Sequence, residues 1–192
     1  MEEYPEQYAC EETPKIIQSN KHVWISISGV WHLDINNEFK DALQALSGIA
    51  FALKFKMKRK NPEGYFDYTM PPSESEWTNL DKPKEERKRK AIVKQPDFVT
   101  SEDVLRIRRI AHAKSKNTKI PQIDFEVLPS VKTVIVGHLW PYNQMEETIK
   151  KIKAFVKEQW LTIIWPHHEI YLNDLRRTKP DELKTVVKYA VK

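Results

Sequence analysis

One order of elements is written twice along this chain. Residues 22–31, HVWISISGVW, are rich in Val, Ile and Trp and read as a strand. Behind them, from Glu38 to Lys58, Phe39, Leu43, Leu46, Ile49, Ala50, Leu53 and Met57 recur at helical spacing. GYFDYTM at 64–70 and AIVK at 91–94 read as two further strands. The order then recurs. VKTVIVGHLW at 131–140 is a strand, and Met145, Ile149, Ile152, Val156 and Trp160 form a second helical stripe, with Asn143 as its cap. HEIYLND at 168–174 and TVVKYAVK at 185–192 are the closing strands, and DFEVL at 124–128 is an extra one. Two strand-helix-strand-strand units predict an α+β fold. Their strands lie side by side in one antiparallel sheet, and both long helices cover one face. Within a single domain over 1–192, the first unit spans 20–95 and the second 122–192, with a connecting helix over 100–115. Residues 1–20 are expected as an extended arm, and 73–90 as loop.

Composition narrows the chemistry. The 192 residues contain four glycines, Gly29, Gly48, Gly64 and Gly137, too far apart for a dinucleotide fingerprint or a phosphate loop. A single cysteine, Cys10, excludes an intramolecular disulfide framework and a cysteine-rich zinc site. His167, His168 and Glu169 are consecutive, so strand alternation sends neighbours to opposite faces. No metal and no cofactor are therefore expected. The acidic start MEEYPEQYACEETPK does not read as a signal peptide, and no apolar run reaches 18 residues. A cytoplasmic setting with no membrane contact is the expectation. The net charge of +5 is concentrated, with Lys82, Lys84, Arg87, Lys88, Arg89, Lys90 and Lys94 close together. Without a recognition motif this run reads as solvated surface, and nucleic acid is not the expected partner.

Alternation then groups the candidate residues. In HEIYLND, Glu169, Tyr171 and Asn173 share one side. Ile170 and Leu172 are assigned to the core under the helices, which sends Glu169 and Tyr171 to the opposite surface. Trp24, Trp31, Trp77, Trp140, Tyr65, Tyr68 and Tyr142 lie in or beside strands bordering that surface. A carboxylate among aromatic rings can work as an acid or base, or pair with a cationic ligand.

The runs EGYFDYTMPPSESEW, KQPDFVT and HHEIYLNDLRRTKPDELKTVVKYAVK resemble the GyrI-like small-molecule-binding domain family, over the whole chain. The resemblance implies a tandem pair of strand-helix-strand-strand units. It also implies one of two activities. Related domains sense drugs in bacterial multidrug-responsive activators, where a buried Glu meets cationic aromatic ligands. Some stand-alone members hydrolyse cyclopropanoid groups of DNA-alkylating natural products, where a Glu and nearby aromatics activate water. Glu169 and Tyr171 match the family's EIYL strand, and Tyr65 and Tyr68 its GYYDYT strand. Glu74 and Trp77 match P-L-E-G-L-W, and Tyr142 matches the Tyr of G-x-Y-D-D-E. Trp31 and Trp140 replace small residues of two equivalent turns, where they would narrow the pocket or stack on a flat guest.

The expected function is binding of an aromatic or cationic small molecule in a cleft between two pseudo-symmetric halves, with Glu169 on its floor. Tyr171, Trp31, Trp140, Trp77, Tyr65, Tyr68 and Tyr142 would be its walls. The alternative is a hydrolase in which Glu169 activates water and Tyr142 or Tyr171 steadies the oxyanion.

Overall fold

A computed structural model describes residues 5–29, 37–80, 82–83, 86–114, 121–139, 144–164, 166–174 and 177–192. Its eight strands are β1 (Lys15–Ser19), β2 (His22–Gly29), β3 (Glu74–Thr78), β4 (Lys88–Gln95), β5 (Asp124–Leu128), β6 (Val131–Leu139), β7 (His167–Tyr171) and β8 (Lys184–Ala190). Three α-helices are described: α1 (Asn37–Lys60), α2 (Ser101–Lys114) and α3 (Met145–Glu158). No described helix is long and apolar enough to cross a membrane.

The strands form one antiparallel sheet in the order β1-β6-β8-β7-β3-β4-β2-β5. Exchanging β1 with β5, β2 with β6, β3 with β7 and β4 with β8 reverses that list onto itself. The sheet therefore has a pseudo-twofold arrangement about the β3–β7 seam. Each half also lends its leading strand to the other, since β1 pairs with β6 and β5 with β2.

Helix α1 forms where the sequence places it. Phe39, Leu46, Ala50, Leu53 and Met57 are its fully buried stripe. Lys58, Arg59 and Lys60 occupy its last turn, where cations suit the helix dipole. Asn61 ends it in the left-handed conformation, donating its N–H to the Met57 carbonyl at 2.8 Å. Helix α2 starts on a reciprocal cap: Asp103 N–H donates to Thr100 Oγ1 at 3.2 Å, and Thr100 Oγ1 donates to Asp103 Oδ2 at 2.9 Å. Lys56 of α1 reaches the same carboxylate at 2.5 Å, tying the two helices together.

Register fixes the faces. Ile25 opposes Val93, Ala91 opposes Ser75, Ser75 opposes Glu169, and Glu169 opposes Val187. Paired residues share a face. Ile25 and Val93 pack with α1 and α2, and Val187 packs with α3, so both long helices cover this one face. The opposite face carries a smaller cluster of Ile17, Ile135, Ile170 and Val186, against which Tyr8, Cys10 and Leu172 pack.

Five expectations change. Residues 15–19 of the supposed arm are a strand, because they pair with β6. GYFDYTM at 64–70 is irregular: Gly64 turns the chain at φ +74°, and Pro71–Pro72 closes the segment. ESEWT at 74–78, within the expected loop, is instead the central strand β3. Trp160 lies beyond α3 at positive φ and is 95% exposed, so it is not in the apolar stripe. Glu169 and Tyr171 are on the helix face, and Ile170 and Leu172 on the other. The cap Asn143 lies outside the described residues.

Candidate functional site

Strand β7 runs between β8 and β3, at the seam of the two halves. All five of its residues are buried. On the helix face it presents His167, Glu169 and Tyr171 in a row, as alternation requires. Glu169 is 2% exposed. Its Oε1 lies 2.9 Å from His167 Nε2, and Tyr171 donates its hydroxyl to Oε2 at 2.6 Å. Tyr189 on β8 holds the other ring nitrogen of His167 at 2.9 Å. Ser75 on β3 lies 2.6 Å from the Tyr171 hydroxyl, and Arg89 on β4 donates to that same oxygen. Four adjacent strands thus feed one hydrogen-bonded network.

Burial alone would push the Glu169 carboxyl up. The His167 hydrogen bond and charge, the Arg89 charge and the Tyr171 hydroxyl outweigh it and hold the group at about 2. Glu169 is therefore an anion. Tyr171 is pushed well above the usual phenol range, chiefly by burial, so it keeps its proton.

Arg89 is itself 2% exposed. Its guanidinium stacks on Phe39 of α1 at 3.5 Å and on Trp77 of β3 at 4.4 Å. One edge of the fork is spent on Tyr171. Its Nε and Nη1, and the neighbouring indole Nε1 of Trp77, are buried donors with no hydrogen-bond partner among the described residues. Buried donors of this kind call for an acceptor oxygen.

The opposite face holds a second ionic group. Glu74, fully buried, takes His168 Nε2 at 2.5 Å and Lys188 at 2.9 Å on Oε2, with Lys94 3.4 Å from Oε1. Lys94 also donates to Gln7 of the arm at 2.8 Å. Burial pushes Glu74 up, but the lysines and His168 drive it well below the carboxylate range. Burial lowers Lys94 to about 8, with Lys188 adding to the effect and Glu74 opposing it.

The expected site residues are therefore divided. Tyr171 joins the Glu169 network, and Trp77 stacks on its Arg89. Tyr65 packs against Phe98, and Tyr68 lies near the end of β4, where its hydroxyl is 3.4 Å from Gln95 Oε1. Trp31, Trp140 and Tyr142 lie outside the described residues. His167, Arg89, Ser75, Phe39 and Tyr189 escaped the sequence reading. The pair His167 and Glu169 was legible as an i, i+2 couple on one face. Arg89 was hidden in the basic run, which is not uniformly solvated: Arg89 and Lys94 are buried, and Lys90 is paired with Glu126 at 2.8 Å. Among the described residues no His, Cys, Asp and Glu cluster has the makings of a metal site.

No protein-family model matches the chain, and no curated protein matches it. Solved structures do. A hydrolase from Listeria innocua is similar over 100% of this chain and 98% of its own, with 25% identity and a TM-score of 0.83. An uncharacterized conserved protein from the same organism gives the same coverage, identity and score. The EcmrR C-terminal domain matches over 94% of this chain and 97% of its own, at 13% identity and a TM-score of 0.58, a likeness of fold. Together with the sequence motifs, these place the chain in the GyrI-like fold.

Proposed function

We propose that this chain is a hydrolase of small aromatic molecules carrying a strained, carbonyl-conjugated ring, with Glu169 at its working centre. One observation carries the reading: a buried, ionised carboxylate stands beside buried N–H donors that lack an acceptor among the described residues. The full-length similarity to a Listeria innocua hydrolase supports it. In the reaction, the oxygen of water bonds to a cyclopropane carbon, and the broken C–C pair flows to the conjugated carbonyl oxygen. The bonded water releases one proton to solvent and the carbonyl oxygen takes one up, so the net change is addition of one water. The N–H groups of Arg89 and Trp77 that have no partner among the described residues are the donors for the charge developing on the carbonyl oxygen. A carboxylate held at about 2 is a weak base. Glu169 therefore stabilises positive charge at the attacked carbon and orients the water, and does not strip its proton.

Binding without turnover is the second reading. Phe39, Trp77 and Tyr171 around Arg89 favour an aromatic guest. The same guanidinium opposes a cationic one, since Glu169 is already balanced by it.

Incubation with a spirocyclopropyl dienone, followed by mass detection of one added water, tests the proposal. Wild type is expected to turn over, Glu169→Gln to lose about 10²-fold in kcat, and Tyr171→Phe about tenfold. Equal turnover by wild type and Glu169→Gln overturns it. Saturable quenching of tryptophan fluorescence with no water adduct moves the conclusion to binding alone.

A further inference from the structure

A cavity of about 470 Å³ opens where the N-terminal arm meets the ends of β2 and β4, away from the Glu169 network. Its volume is that of a site for a drug-sized molecule. Tyr8, Phe66, Tyr68, Pro71 and Pro96 give it ring-shaped apolar walls, and Lys94 is its buried cation.

The charges around it are unevenly shared. Among the described residues, Glu74 is the carboxylate within ion-pair distance of Lys94, and it also serves Lys188 and His168. Asp67 in the cavity wall is committed to Lys58 at 3.0 Å and Lys54 at 3.5 Å. Asp97 and Lys21, of opposite sign, are both exposed at the mouth. Glu76, further along the same face, shares Lys90 with Glu126. Two ammonium groups thus divide one carboxylate, and Lys94, the one of them that lines the cavity, has three hydrogens to place. Lys94 places hydrogens toward Gln7 and Glu74.

We propose that this cavity is a binding site for a small aromatic carboxylate, its anionic group on Lys94 and its ring between Tyr8, Phe66 and Tyr68. Burial and the nearby Lys188 already make the charge on Lys94 costly to keep. An anion arriving at Nζ would relieve that cost. The site is separate from the proposed hydrolytic centre and does not depend on it.

Calorimetric titration of the full chain with 2-naphthoate, and with the neutral 2-naphthalenemethanol, tests this. Naphthoate is expected to saturate, binding about tenfold or more tighter than the alcohol, one unit of charge-assisted hydrogen bonding. Lys94→Gln is expected to remove that preference, and Lys94→Arg to keep most of it. Phe66→Ala trims a partly exposed wall outside the ionic group, so it reports on the site even if Lys94→Gln fails to fold, and it is expected to weaken naphthoate several-fold. Glu169→Gln is expected to leave the affinity unchanged. Three results overturn the proposal: no saturation at millimolar naphthoate, equal affinity for the alcohol, or binding that survives Phe66→Ala and Lys94→Gln but falls with Glu169→Gln.

Discussion

His168 shows how one side chain can set the acid limit of the whole fold. Burial, then the charge of Lys188, hold its imidazole at about 3, although Glu74 pulls the other way. The folded state therefore refuses a proton that the unfolded chain accepts near 6.5. Stability must fall as pH drops below that value, until the folded group titrates near 3. At pH 5 the loss is ~2 kcal/mol for one such histidine. Glu169 acts with the same sign lower down: its stabilisation is whole above the ordinary carboxylate value and vanishes toward about 2. Urea unfolding at pH 7 and pH 5 is expected to show this drop in wild type and a clearly smaller one in His168→Gln. Equal drops would remove His168 as the cause. At this scale the sequence was half legible. Glu169 and Tyr171 stood out because strand alternation sets them on one side, among aromatic residues. Arg89 did not, because its burial depends on Phe39 and Trp77, which are 50 and 12 positions away.

Elements with a clear period were readable, and those whose polar residues are buried were not. α1, α3 and β6 announced themselves through spacing. β3 did not, because Glu74, Ser75 and Glu76 look solvated until β4 and β7 supply their partners. The face of β7 was inverted for a related reason: a central strand buried on both sides gives no polar side to orient by. Gly137 in β6 is a further position where context rules. Its N–H donates to the Glu11 carbonyl at 2.6 Å, and a Cβ there would sit 2.5 Å from the Cys10 carbonyl carbon. The obstacle is backbone, not the end of a flexible side chain. Gly137→Ala is expected to cost about 1–3 kcal/mol by forcing the arm off the sheet. An unchanged urea midpoint would show that the arm yields freely. On α1, Leu46→Ala empties a fully buried position and is expected to cost about 2–5 kcal/mol in the same assay.

For the molecule as a whole, the sheet order ranks the strands by protection. β1 and β5 are the edges, the other six strands have a neighbour on both sides, and β8, β7, β3 and β4 are the central four. Hydrogen exchange is expected to be slowest in the central four and fastest in β1 and β5. Comparable rates across all eight would mean that the sheet opens as a unit. The reciprocal loan of leading strands has a deeper consequence. A polypeptide holding one half alone would have a berth for a foreign strand and a spare strand of its own. Two such polypeptides would clasp each other as a swapped pair, and the α2 link between β4 and β5 would become a tether joining what already interlocks. The order of the ladder is the one that two such clasped halves would make.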